Sequence, residues 1–216
     1  MTHRPDVPPR PAIRGVLFDF GNVICAFDQR RFHAALALLC GQSPEAIARR
    51  LGDSDLPRAY ESGEITSQAF LAGLSGLCGY PFPEGPFVRA FTDIFTPIPS
   101  TFDLIGRLKA RYRLGLVSNT NPWHAEHGIR TTSVFPLFNA VALSHEVRAM
   151  KPDPRIFEAA LTQLGLPPEA CVFIDDIPAF ADAASELGIH GLTFTGPKAL
   201  RDDLARLGVA GQETSP

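Results

Sequence analysis

The chain lacks any apolar run long enough to cross a membrane: the longest, Ala34 to Cys40, has seven residues, where a spanning helix needs about 18. Ahead of the first strand there is also no apolar core of the kind a secretory signal carries. Residues 1–12 are instead rich in proline and charge and are expected to form a disordered tail. Basic residues are not gathered into a stripe, since clusters such as Arg49-Arg50 and the stretch from Arg107 to Arg113 are short and the net charge is −3. A nucleic-acid partner is therefore not expected. The four cysteines, Cys25, Cys40, Cys78 and Cys171, form no C-x-x-C pair and sit in apolar surroundings. They read as buried free thiols in a reducing cytoplasm rather than as a disulfide framework. No internal repeat is visible.

What is present is the composition of an ordinary globular protein, 45% hydrophobic and 20% charged. At 216 residues the chain can form one well-buried domain, or a domain of about 150 residues carrying an insert. Ile13 to Phe18 reads as a buried strand. From Gln29 to about Phe95 the periodicity turns helical, with Phe32, Leu36 and Leu39 on one face and Phe70, Leu71 and Leu74 on another. Gly52, Gly63, Gly79 and Pro81-Phe82-Pro83 mark turns between short helices, and no strand is expected in this block.

After Pro99 strand and helix alternate. A helix N-capped by Ser100, with Asp103 completing a capping box, precedes a strand at Arg113 to Val117. A helix within Pro122 to Thr132 and a strand at Ala140 to Leu143 follow. Asp153-Pro154 to Gly165 has an acidic N-cap, proline at N1 and a terminal glycine, the strongest helix signal in the chain. Cys171 to Ile174, Ala179 to Leu187 and Leu192 to Phe194 complete the series as strand, helix and strand. Such alternation predicts an α/β fold, a Rossmann-like parallel sheet with helices on both faces. The expected division is a core over 13–28 and 97–210 and an all-α cap over 29–96, lying over the sheet edge where the first strand ends.

In an open α/β sheet ligands bind outside the carboxyl ends of the strands, and three apolar runs here end on polar groups. Asp19 closes the first, Ser118-Asn119 the second and Asp175-Asp176 the third, with Lys151 in Met-Lys-Pro-Asp-Pro. Together they compose a phosphoryl-transfer site. A carboxylate can accept a phosphoryl group covalently, but its charge repels the phosphate dianion, so cations must offset it. A divalent metal held by Asp19 and one of Asp175 and Asp176 would do so, and oxygen ligands suit Mg²⁺. Lys151 adds a compact positive charge, and Ser118 with the N–H groups after it can hold the equatorial oxygens.

The order Leu-Phe-Asp19-Phe-Gly-Asn-Val, Leu-Val-Ser118-Asn-Thr, Lys151-Pro-Asp-Pro and Phe-Ile-Asp175-Asp176 resembles the four motifs of the haloacid dehalogenase superfamily of aspartate-nucleophile phosphohydrolases. The resemblance implies that Asp19 is the nucleophile and that Ser118, Asn119 and Lys151 bind the phosphoryl group. It also implies Mg²⁺ held by Asp19, the Gly21 carbonyl and Asp176, with Asp175 in support. The helical block is similar to the family's small α-helical cap. Ser118-Asn-Thr-Asn-Pro-Trp-His124 and Tyr60-Glu-Ser-Gly-Glu-Ile-Thr66 are similar to segments of bacterial sugar-phosphate phosphatases acting on α-glucose 1-phosphate.

Two positions depart from the family pattern. Gly21 stands where most phosphatases of the superfamily carry a second aspartate, the general acid and base, a loss typically worth about 10²–10⁴ in rate. The expected consequence is a bias toward anomeric or other good leaving groups. Phe180 stands where an Asp or Asn often supports the metal. Trp123, His124 and His145 read as packing or surface residues, and Tyr60 and Glu61 as helix surface with a part in cap specificity left open. The leading expectation is a Mg²⁺-dependent phosphatase of small phosphorylated metabolites working through an aspartyl-phosphate. The alternatives are a 2-haloacid dehalogenase, or a catalytically weak or non-enzymatic phosphometabolite-binding protein.

Overall fold

The structure is a computed structural model that describes residues 12–209. The tail expected over 1–12 therefore lies, but for residue 12, outside the described residues, as does residue 210. Five parallel strands form the main sheet: β1 (Gly15–Phe18), β4 (Arg113–Ser118), β5 (Ala140–Leu143), β6 (Cys171–Asp175) and β7 (His190–Thr193), in the spatial order β5-β4-β1-β6-β7. β1 is central. Its register sets Phe18 beside Leu116 and Ile174, so Asp19 leaves the sheet level with Asp175 and one residue short of Ser118.

Side chains of a strand alternate between faces, and here the two faces have separate cores. Val16 and Phe18 pack with Leu114, Leu116, Val172 and Ile174 against α6 (Pro99–Leu108) and α11 (Pro197–Arg206). Leu17, Val117 and Phe173 pack on the opposite face against α9 (Pro154–Leu164) and Ala184 of α10 (Pro178–Glu186). This is the doubly wound α/β arrangement that strand–helix alternation predicts. Within α9, Asp153 accepts the Arg155 N–H at 3.0 Å, Pro154 opens the helix, and Gly165 closes it at φ 61°. Among the described residues no helix is long and apolar enough to cross a membrane.

Five helices follow the first strand: α1 (Gln29–Cys40), α2 (Pro44–Gly52), α3 (Leu56–Glu61), α4 (Ser67–Cys78) and α5 (Glu84–Thr92). They close around their own cluster of Phe32, Leu36, Ile47, Phe70, Phe87 and Phe91. The two ends of this insert are zipped together by a short antiparallel ribbon, β2 (Cys25–Phe27) with β3 (Phe95–Pro97). The helical periodicity does not reveal that ribbon, because three-residue strands are too short to display an alternation.

Three further features differ from the sequence expectation. α6 begins at Pro99 with Ile98 at its N-cap and no side-chain cap bond, so the Ser100–Asp103 capping box does not form; proline takes the first helical position one residue early. β7 starts at His190, not Leu192. A Cβ at Gly191 would lie 2.0 Å from the Ala181 carbonyl oxygen, so this glycine is what lets α10 press on the strand. The short helices α7 (Pro122–His124) and α8 (Ser144–Val147) each follow a strand end, and a π-helical turn at Ala125–Ile129 continues α7.

Candidate active site

The carboxyl ends of β1, β4 and β6 bring Asp19, Ser118, Asp175 and Asp176 to one edge, where Lys151 joins them from the loop before α9. Lys151 is 4% exposed, Asp19 8% and Asp175 fully buried. Lys151 Nζ donates to Asp19 Oδ1 at 2.7 Å and to Asp175 Oδ2, and lies 5.1 and 5.4 Å from the ring centroids of Phe180 and Phe173. Phe180 thus takes up the cation instead of supporting a metal. A buried charge is tolerated only when paired, and one ammonium between two carboxylates leaves a net negative centre. Burial pushes the Asp19 carboxyl up to about 6, with Lys151 opposing the rise and Asp175 adding to it.

The neighbouring acids differ in what they have left to offer. Asp175 uses Oδ1 for the Ile177 N–H at 2.9 Å and Oδ2 for Lys151. Asp176, partly exposed, accepts only the Asn22 side-chain amide among the described residues, at 2.9 Å on Oδ2. Asp19, Asp175 and Asp176 each present an oxygen, all within 4.8 Å of one another. A set of hard carboxylate oxygens fits a cation such as Mg²⁺. The turn after β1 is closed by Asn22 N–H to Cys25 O and Cys25 N–H to Phe20 O, neither of which uses the Gly21 carbonyl. Sequence reasoning passed over Asn22, although its φ of 53° just after a glycine is a conformation that asparagine accepts more readily than most residues.

The Asn119 side chain has a part of its own. Its amide donates to the Lys151 carbonyl at 3.0 Å and its oxygen accepts the Lys151 N–H at 2.7 Å. The side chain therefore holds the lysine loop, and what Asn119 can offer a phosphate is its main-chain N–H. Ser118 is a buried residue that lines a cavity beside this edge, and its hydroxyl has no hydrogen-bond partner among the described residues.

The insert meets this edge through side chains. Trp123 and His124 of α7 enter the insert's aromatic cluster. The Trp123 N–H donates to the Tyr60 hydroxyl at 3.3 Å, and His124 stacks on Phe91 at 4.1 Å while its Nε2 lies 3.0 Å from the Phe91 carbonyl. Tyr60, expected at the surface, is 1% exposed; stacking on Phe70 at 4.5 Å has drawn it inside. A cavity of about 180 Å³ runs into the insert between Phe32, Leu51, Tyr60 and Phe91. A smaller one of about 90 Å³ is bounded by Gly21, Phe27, Ser118 and Asn119. Gln29, Glu61, Ile94 and His124 are walls common to both.

The fold and this edge define a class: a doubly wound α/β protein with a carboxylate, a buried lysine and further acids where the central strands end. The chain belongs to the haloacid dehalogenase-like hydrolases, whose family model matches residues 13–188. It is 24% identical over 190 residues to D-ribitol-5-phosphate phosphatase of Bacteroides thetaiotaomicron, covering 82% of this chain and 90% of that protein. It is 30% identical over 168 residues to mouse acyl-CoA dehydrogenase family member 10, covering 73% of this chain but only 15% of that much longer protein. Among solved structures, a HAD family enzyme of Bacteroides thetaiotaomicron in complex with magnesium and inorganic phosphate matches with a TM-score of 0.76 and 26% identity, over 84% of this chain and 94% of the other.

Proposed function

We propose that this hydrolase is a Mg²⁺-dependent phosphatase of small phosphorylated metabolites that works through an aspartyl-phosphate on Asp19. The observation that carries the reading is one buried cluster: the Asp19 carboxylate 2.7 Å from Lys151 Nζ, with Asp175 and Asp176 oxygens within 4.8 Å. Asp19 attacks phosphorus, Lys151 offsets the charge that gathers there, and the Ser118 hydroxyl with the N–H groups after it holds the equatorial oxygens. Asp19, Asp176 and the Gly21 carbonyl are the groups to hold Mg²⁺; Asp175, both of whose oxygens are taken, fixes Lys151. When bound, the ion supplies charge neutralisation at the transferring phosphoryl group. In this reading the helical block, residues 29–96, is a cap over a core of 13–28 and 97–210.

Among the residues lining the two cavities there is no lysine or arginine. A leaving group bearing a second phosphate or a carboxylate would find no counter-charge there. This favours monophosphates of neutral alcohols, the class to which D-ribitol 5-phosphate belongs. The test is a panel of phosphate esters assayed with Mg²⁺ and with EDTA, for the wild type and for Asp19→Asn. Release of phosphate should require the ion and fall by about 10⁴ or more in the variant; comparable turnover in Asp19→Asn overturns the reading.

A further inference from the structure

Gly21 leaves the proton transfers of such a reaction without an owner. A Cβ on Gly21 would lie 3.1 Å from the Phe27 ring and 3.8 Å from Asp19 Oδ2. A side chain there would press on Phe27, a residue of the ribbon at the base of the insert. In an in-line displacement the departing oxygen lies across phosphorus from Asp19. The smaller cavity, walled by Gly21, Ser118 and Asn119 on one side and by Gln29, Glu61 and Ile94 on the other, is the space beside this edge.

Two titratable side chains line the smaller cavity, Glu61 and His124. His124 is committed: Nδ1 lies 3.0 Å from the Asn121 amide, Nε2 lies 3.0 Å from the Phe91 carbonyl, and burial pushes the ring down to about 4. Glu61 makes no side-chain hydrogen bond or ion pair among the described residues. Its backbone is nevertheless anchored beside the site. The Ser144 hydroxyl lies 2.6 Å from the Glu61 carbonyl oxygen and 2.9 Å from that of Thr120, and it accepts the Thr120 N–H at 2.8 Å. Thr120 is two residues beyond Ser118. The insert is pressed onto the core here, since a Cβ on Gly63 would lie 2.3 Å from the His145 carbonyl oxygen.

We propose that Glu61, carried by the insert, is the proton donor to the leaving oxygen and then the base toward water. The inference rests on the phosphatase reading above. In the first displacement Asp19 bonds to phosphorus as the bond to the alcohol oxygen breaks, and that oxygen takes the Glu61 proton. In the second, water bonds to phosphorus as the bond to Asp19 breaks, and the water's proton passes to the Glu61 carboxylate. Alcohol and inorganic phosphate leave, and both acids are restored. Burial pushes the Glu61 carboxyl up to about 7, which suits a group that must both give and take a proton near neutrality. With this donor in place, the enzyme is not confined to good leaving groups despite Gly21.

The test compares kcat/KM for p-nitrophenyl phosphate, phenyl phosphate and ribose 5-phosphate in Mg²⁺. Glu61→Gln should stay within about threefold of wild type on p-nitrophenyl phosphate, which needs no proton, and lose about 10²–10⁴ on the other two. It should also show a burst of nitrophenolate matching the enzyme concentration, because the phosphorylated Asp19 then waits for water without its base. Equal losses on all three esters, or none, overturn the assignment. The wild type gives an independent reading that needs no variant: its kcat/KM should vary little across substituted phenyl phosphates, and a steep dependence on the leaving group overturns the proposal. Turnover in the wild type with an unchanged Glu61→Gln removes Glu61 alone; a folded wild type that hydrolyses no ester of the panel removes the phosphatase reading and Glu61 with it.

Discussion

The sheet edge and the helical insert above it bury opposite kinds of residue. At the edge the buried charged groups each have a named partner: Lys151 between Asp19 and Asp175, Asp175 on the Ile177 N–H. In the insert the buried groups are apolar and mostly rings, with Phe32, Tyr60, Phe70, Phe87 and Phe91 in stacked and edge contacts that Trp123 of α7 joins. Charge pairing is directional and intolerant of loss, because a deserted buried charge keeps its full desolvation cost. Ring packing is adaptable and roughly additive in area. In the proposed reading the nucleophile and its cation therefore sit where buried charges are paired, and the block above them is held by contacts that can be repacked. Glu61 is the exception in the insert, a half-buried carboxylate with no hydrogen-bond or ion-pair partner among the described residues.

Substitutions can break this contrast. The largest stability effect is expected at the edge. Lys151→Met leaves Asp19 and Asp175 facing each other and should cost about 3–5 kcal/mol at pH 7 without Mg²⁺, read by urea unfolding. The loss should shrink toward pH 5, as the raised Asp19 carboxyl takes up a proton. A variant as stable as wild type at pH 7 would show that the three charges are not coupled. Trp123→Ala should cost about 3 kcal/mol and act on the junction. Hydrogen exchange should then quicken in α3 and α5 and stay slow in β1 and β4, and uniform quickening would contradict the two-core description.

Glu61→Gln probes the exception. Its carboxyl is raised from 4.5 to about 7 by burial, so the folded state holds this proton more tightly than the unfolded chain does. That contribution is complete below about pH 4.5 and is lost as pH rises through 7. The glutamine variant should therefore match wild type at pH 4 and exceed it by about 1–3 kcal/mol at pH 8, measured by thermal melts. A difference independent of pH would place Glu61 in solvent. Smallest of all is Leu38→Ser in α1, 89% exposed, for which a change within about 0.5 kcal/mol is expected.

The strands that end on Asp19, Ser118 and Asp175 were legible because each is a short apolar run stopped by a polar residue, and the helix α9 because its caps are written in Asp153, Pro154 and Gly165. The ribbon of β2 and β3 left no pattern, being three residues on each side. Asn22, Ser144 and the side-chain role of Asn119 were hidden for another reason. Their partners are Asp176, Thr120 with Glu61, and Lys151, at separations of 154, 24 and 83, and 32 residues, and no local period encodes a pairing at such range.

By itself the sequence determined the alternation of strand and helix, the helical interruption after the first strand, and the order of acids, hydroxyl and lysine along the chain, because these depend on residue type and near neighbours alone. Tertiary structure decided the rest. It turned Tyr60 inward and set the Phe27 ring against Gly21. It shut Asp175 against Lys151, left Asp176 partly open, and brought Glu61 to the cavity wall. Each of these depends on where distant elements dock, and docking sets desolvation, which is the quantity that separates a surface carboxylate from a reactive one.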